Sequence, residues 1–218
     1  MKIGFDCDGV LFNFTAAYQA LVVRIAGVDL FQPGDDVNPP CWDWPEFRGY
    51  DADVMKRVWK HIRSTPNWWE RLAPLDGAET LAMCMPDLDL KHDLYYATAR
   101  AGNGVKRQTE NSIRNYIGAP APTVLIAQDK ALVIAALRLD AYIDDNLDNI
   151  RACRAAVEDE RAWAKAQSTP ERPVQPRFTT RLFLLNRNYN QVAWDSQDIG
   201  YTRVRSVGQF LDYLTLGL

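Results

Sequence analysis

A chain of 218 residues can bury a domain-sized core, and 47% hydrophobic with 24% charged residues is the composition of a globular protein. A formal net charge of −3 with no basic stripe argues against binding a nucleic-acid polymer through its phosphates. Two histidines and no C-x-x-C pair argue against a zinc site, and Cys7, Cys41, Cys84 and Cys153 read as free thiols in a reducing compartment. The first element is KIGF, a short apolar run that enters Asp6 and continues as DCDGV. A helix is expected from Phe12 to about Ile25. Some fifty residues then fit no β-α unit: Pro33-Gly34, Pro39-Pro40, CWDWPEF, a helix from about Asp53 to Ser64, and Pro66-Asn67-Trp68-Trp69. In that helix Val54, Val58 and Ile62 recur four apart. The stretch reads as a small, mostly helical cap over the carboxyl end of the first strand, with 15–74 as cap and 1–14 plus 75–218 as core.

Beyond it the chain becomes regular. A helix is expected from Asp76 to Met85 with Leu81, Met83 and Met85 inside, then the strand DLYYAT ending at Thr98. Val105 to Ile117 places Ile113, Tyr116 and Ile117 on one side of a helix and stops at Gly118. The strand TVLIA, a helix from Lys130 to Leu139, the strand LDAYI into Asp144-Asp145, and a helix from Asn146 to about Ala164 follow. Ser168 to Arg177, with three prolines, reads as a surface loop before the last strand, RLFLL, which runs into Asn186. Strands of this length, Val/Ile/Leu/Tyr-rich and separated by helices, imply crossover connections. The expected fold class is therefore α/β: a Rossmann-like parallel sheet in a three-layer α/β/α core, with the cap inserted after the first strand.

In such sheets ligands sit outside the carboxyl ends of the strands. The residues there are Asp6 and Asp8, Thr98, Lys130, and Asp144 with Asp145. Four carboxylates in one crevice are costly unless a hard cation neutralises them, and oxygen-only ligands without His or Cys point to Mg2+. A phosphate beside that cation gives Thr98 and Lys130 a purpose, as hydroxyl donor and point charge. Asp6 is then placed to attack phosphorus, and Asp8, pointing the same way, to protonate the leaving group and later to deprotonate water.

These residues carry a resemblance. DCDGV at 6–10, YYAT ending at Thr98, Lys130 opening a helix and AYIDD ending at Asp145 resemble, in order, the four motifs of the haloacid dehalogenase superfamily of phosphohydrolases. Within it the chain is most similar to the 5'(3')-deoxyribonucleotidases, through DxDGVLxxF ending at Phe14, WWERLAPLDGAETL, the IDDN form of the fourth motif and RLFLLNRNYN. The resemblance implies phosphate removal from (deoxy)nucleoside monophosphates through an aspartyl-phosphate. It also implies Mg2+ held by Asp6, the Asp8 carbonyl and one of Asp144 and Asp145. Ala99 stands where family members often carry Ser, so one phosphate hydroxyl is missing, and Ala99 and Arg100 complete the expected phosphate loop.

Phe14, Trp42 and Trp44 are the candidates for stacking on a nucleobase, although large aromatics, Trp68 and Trp69 among them, equally serve as the core of a small insert. The cap is also where the family resemblance is weakest, which leaves two rivals. One is a phosphatase of sugar phosphates or other small metabolites; the other is a module that binds a phosphate ligand without turnover. Cys7, behind an apolar strand, is expected to point into the core, and His61 to lie at the surface. No apolar stretch nears the ~18 residues that span a bilayer, and the first strand reaches Asp6 too soon for a signal peptide's apolar region. A cytoplasmic protein without membrane partners is expected, and homodimerisation is left open.

Overall fold

The computed structural model describes residues 1–191 and 200–216. Strands β1 (Lys2–Asp6), β2 (Asp93–Thr98), β3 (Thr123–Ile126), β4 (Ala141–Asp144), β5 (Arg181–Leu185) and β6 (Thr202–Val204) form one sheet in the order β3-β2-β1-β4-β5-β6. Every pairing in it is parallel. Strand β6 was not anticipated, because its three residues carry no apolar run.

Side chains alternate strictly between the two faces of the sheet. Ile3, Phe5, Ile143, Phe183 and Leu185 join one buried cluster, while Tyr142, Leu182 and Leu184 join another. Helices α4 (Asp76–Lys91), α5 (Val105–Ile117) and α8 (Val207–Leu216) cover the first face, and α6 (Lys130–Leu137) and α7 (Leu147–Gln167) cover the second. This is the three-layer arrangement, and each fully buried Phe or Leu in it is worth ~1.5–3 kcal/mol.

Three details of the helices differ from the sequence reading. Met83 is 77% exposed, because Leu81, Met85 and Leu88 form the buried stripe of α4 and Met83 lies across the helix from it. Pro86 sits inside α4 rather than near its end, and Leu88 carries the stripe past it to Lys91. Tyr116 is at the margin of α5, half exposed, with its ring edge-on to Phe12, whereas Ile113 and Ile117 are buried.

The insert after β1 holds α1 (Phe14–Ala26), the short α2 (Trp44–Phe47), α3 (Ala52–Ser64) and a 3-10 turn, Trp69–Arg71. Asn13 caps α1 by accepting from the Ala16 amide at 2.9 Å, and Gly27 ends it in the left-handed conformation. Tyr18, Leu21, Val22, Met55, Val58 and Ile62 close α1 onto α3, and Val54 packs at the edge. The loop before α2 is pinned by Arg48, which donates to both oxygens of buried Asp35 at 2.8 and 2.9 Å. Among the described residues no helix is long and apolar enough to cross a membrane. All four cysteines are free, and Cys7 is buried as expected.

Candidate active site

The register aligns the strand ends that matter. Asp6 lies opposite Ala97, and Phe5 opposite Ile143, so Asp6, Thr98 and Asp144 share the carboxyl edge of the sheet. Directly after β1 the chain folds back on itself: the amides of Leu11 and Phe12 both donate to the Cys7 carbonyl, at 2.9 and 2.8 Å. Gly9 sits in this turn at φ +82°, and a Cβ there would meet Asp145 Oδ2 at 2.0 Å. Glycine is required both by the backbone and by the approach of that carboxylate.

Asp6, Asp144 and Asp145 are buried, and one carboxylate oxygen from each lies within 4.8 Å of the others. Lys130, at the start of α6 and almost wholly buried, brings Nζ to 3.1 Å from Asp6 Oδ1. The Asp129 carboxylate caps α6 by accepting from the Ala131 and Leu132 amides, which fixes where Lys130 emerges. Asp144 is held by three donors: the Tyr142 hydroxyl at 2.8 Å, the Asn146 amide at 2.8 Å and Asn149 Nδ2 at 3.0 Å. Asp145 accepts from the Tyr189 hydroxyl, and its carbonyl accepts from Asn190 at 2.8 Å.

Three carboxylates share one ammonium, and their protonation shows the imbalance. Burial drives Asp6 up to about 8, against the pull of Lys130 and with the charges of Asp144 and Asp8 adding to the rise. Burial and then Asp6 raise Asp145 to about 7, while Tyr189 and Arg187 oppose the rise. Burial and then Asp145 raise Asp144 to about 6, opposed by the Asn146 amide, Lys130 and Tyr142. Burial works against the charge of Lys130, but Asp6 and Asp144 outweigh it and hold it above the ordinary lysine value. A buried oxygen-only donor set with surplus negative charge fits a hard divalent cation.

Asp8 is differently placed. Its carboxylate accepts from Arg100 Nε at 3.1 and 3.0 Å, from Arg100 Nη2 at 2.7 Å, and from the Thr98 hydroxyl at 3.2 Å. The sequence reading put Thr98, Ala99 and Arg100 at a phosphate; in the structure Thr98 and Arg100 meet Asp8, and all three line the same cleft. The side chain of Asp8 therefore stands outside the three-carboxylate cluster, and only its carbonyl is assigned to a metal by the resemblance.

The cleft above these groups encloses about 410 Å3, a size that suits a small molecule. Phe14, Trp42 and Trp44 line it, together with Tyr18, Trp59 and Trp69. Phe14 stacks on Tyr18, Trp59 and Trp69 with ring centroids 5.1, 5.9 and 5.8 Å apart. Trp44 is buried and its indole nitrogen meets no acceptor among the described residues, whereas Trp42 is 56% exposed and edge-on to Tyr189. Trp68 lies behind Phe14, at 6.0 Å and edge-on, and does not line the cleft.

Sequence reasoning missed Tyr142, Asn149, Arg187 and Tyr189. Arg187 donates to the Gly9 carbonyl and so ties the turn after β5 to the turn after β1. A signal for Tyr142 existed: two residues before Asp144 on one strand, it points to the same face. The turn 186–190 follows a strand end and qualified under the same rule as Asp6 and Thr98.

No protein-family model and no curated protein matches the chain. Solved structures match it over nearly its whole length. It is similar to a HAD family hydrolase of Deinococcus radiodurans with bound phosphate and sodium, at 12% identity, 99% of this chain, 95% of that one and a TM-score of 0.54. It is similar to the HAD-type hydrolase YfnB of Bacillus subtilis, bound to magnesium, at 16% identity, 100% and 98% coverage and a TM-score of 0.52. A candidate phosphoglycolate phosphatase of Lactobacillus plantarum gives 14% identity, 97% of both chains and a TM-score of 0.50. At such identities the likeness is one of fold: six parallel strands flanked by helices, with a helical insert after β1, is the haloacid dehalogenase-like fold.

Proposed function

We propose that this protein is a Mg2+-dependent phosphomonoesterase of the haloacid dehalogenase type, that it acts on (deoxy)nucleoside monophosphates, and that residues 15–74 serve as its cap. The observation that carries the chemistry is the buried group of Asp6, Asp144 and Asp145 with Lys130 against Asp6. Asp6, the Asp8 carbonyl and the Asp144–Asp145 pair would hold the cation, which when bound neutralises charge on the phosphoryl oxygens. Neutralisation also leaves the Asp6 carboxylate ionised and available to attack phosphorus, giving an aspartyl-phosphate. Asp8 gives a proton to the leaving oxygen, then takes one from the water that hydrolyses the intermediate. Lys130 stays beside Asp6 and balances the charge that develops in both steps. Structures of the same fold with magnesium or phosphate bound support this reading.

The nucleoside part of the proposal rests on the cleft wall. Phe14, Trp42 and Trp44, with Tyr18, Trp59 and Trp69, line it, and the exposed ring of Trp42 offers a flat face to a nucleobase. Four free cysteines support a cytoplasmic setting.

The test is a panel of phosphomonoesters with Mg2+, run on the parent protein and on Asp6→Asn. Hydrolysis of nucleoside monophosphates that falls by ~10⁴-fold or more in Asp6→Asn is the expected result. Sugar phosphates preferred over every nucleotide would keep the chemistry and reject the substrate. No turnover of any ester by the parent would leave a phosphate-binding module.

A further inference from the structure

Arg100 lies two residues beyond Thr98, where a phosphate contact was expected, yet its guanidinium is fully enclosed. The side chain has 0% exposure, and each of its three nitrogens donates to the protein. Nε and Nη2 serve the two oxygens of Asp8, and Nη1 donates to Thr109 Oγ1 at 3.0 Å. Two rings pack against it as well: the guanidinium carbon lies over the Phe12 ring, 5.2 Å from its centroid, and over the Trp69 ring at 5.1 Å. Trp69 is itself fixed, since its indole donates to the Ala101 carbonyl at 3.0 Å and its amide to Gln108 Oε1 at 3.0 Å. A planar fork held by hydrogen bonds and by two packed rings is a rigid mount for the carboxylate it grips.

We infer that Arg100 is the positioning residue of the proton-transfer group: it fixes the Asp8 carboxylate in the cleft and does not contact the substrate's phosphate. This rests on the phosphomonoesterase reading above. In the first step Asp8 passes its proton to the ester oxygen as the P–O bond breaks and the bond from Asp6 to phosphorus forms. The carboxylate left behind is the form that the Arg100 fork binds with two oxygens. In the second step that carboxylate takes a proton from water as the water oxygen bonds to phosphorus and the Asp6–phosphorus bond breaks, releasing phosphate and restoring Asp6. Arg100 stays bound to Asp8 throughout and exchanges no proton. The mount also joins the insert to the chemistry, because Trp69 touches Arg100 on one side and Phe14 of the cleft wall on the other.

Leaving-group dependence separates this role from phosphate binding and from mere support of the fold. An alkyl phosphate needs its leaving oxygen protonated, whereas p-nitrophenyl phosphate departs as a stable phenolate. Arg100→Met should therefore lower kcat/KM, which reads the step that expels the leaving group, by ~10²-fold for an alkyl phosphate and by less than ~10-fold for p-nitrophenyl phosphate. Placed in an Asp8→Asn background, Arg100→Met should have no further effect on the alkyl ester. Should Met at position 100 prevent folding, Thr109→Val, which frees Nη1 and keeps the charge, should show the same selectivity at a several-fold level. An equal loss of kcat/KM on both esters, as a lost phosphate contact would give, or undiminished losses in the Asp8→Asn background would overturn the inference. A parent protein that turns over neither ester would instead overturn the phosphomonoesterase reading on which it stands.

Discussion

Asp6 and Asp8 are two residues apart, but the molecule treats their charges in opposite ways. On the Asp8 side the protein supplies the counter-charge itself: one guanidinium grips both carboxylate oxygens and the Thr98 hydroxyl adds a further donor. On the Asp6 side Lys130, paired with Asp6, and Arg187, acting on Asp145 from a distance, are set against three buried carboxylates. Electrically the first half of the site is closed and the second is open. A closed pair sets geometry; an open cluster is completed from outside, which is the physical case for a cation there. The difference also explains why burial raises Asp6, Asp144 and Asp145 together.

The sharpest way to break this comparison is to give the protein Mg2+ and remove one acid from each half. At a hundred times its dissociation constant the cation should stabilise the fold by ~2.7 kcal/mol, read by urea or thermal unfolding. Asp145→Asn should lose that stabilisation, and Asp8→Asn should keep it. A Mg2+ response that disappears in Asp8→Asn and survives in Asp145→Asn would reverse the assignment of the two halves.

Protons give a second, smaller measure. The open carboxylates are raised in the folded protein to about 8, 6 and 7 for Asp6, Asp144 and Asp145, so the native state binds protons that the unfolded chain has released. Their contribution to stability is complete below the unfolded carboxyl range near pH ~4 and is lost as pH rises through those values. Metal-free protein should therefore weaken by about 1.4 kcal/mol per pH unit for each of these carboxyls still protonated, and saturating Mg2+ should flatten the slope. Titration calorimetry at pH 6 in buffers of contrasting ionisation enthalpy should show roughly two protons expelled per Mg2+ bound, falling toward none near pH 9. Proton release unchanged between those pH values would contradict an open cluster.

The smallest expected effect comes from Tyr142→Phe. It removes one of three donors to Asp144 and leaves Asn146 and Asn149 in place. A loss of about 1 kcal/mol in the unfolding free energy is expected. A loss of several kcal/mol would mean that Asp144 is balanced by its donors alone, as Asp8 is by Arg100.

What the sequence determined by itself was the framework and which residues stand at the carboxyl edge of the sheet. Apolar runs that end in acids, a threonine and a lysine, with helices between them, specify a parallel sheet, and a parallel sheet gathers its strand ends along one edge. That is why Asp6, Thr98, Lys130, Asp144 and Asp145 could be named from spacing alone and are found together. Local periodicity was less reliable at the margins of helices: neighbouring elements decided that Met83 would face solvent and that Tyr116 would sit half exposed.

Tertiary structure alone decided which charge meets which. Arg100 grips Asp8 across 92 residues of sequence, and Tyr189 reaches Asp145 across 44. Strand and helix periods are properties of a few consecutive peptide units, so they fix the face and the edge on which a residue stands. The partner a side chain finds there depends on how distant elements pack, and on which charges burial forces to pair.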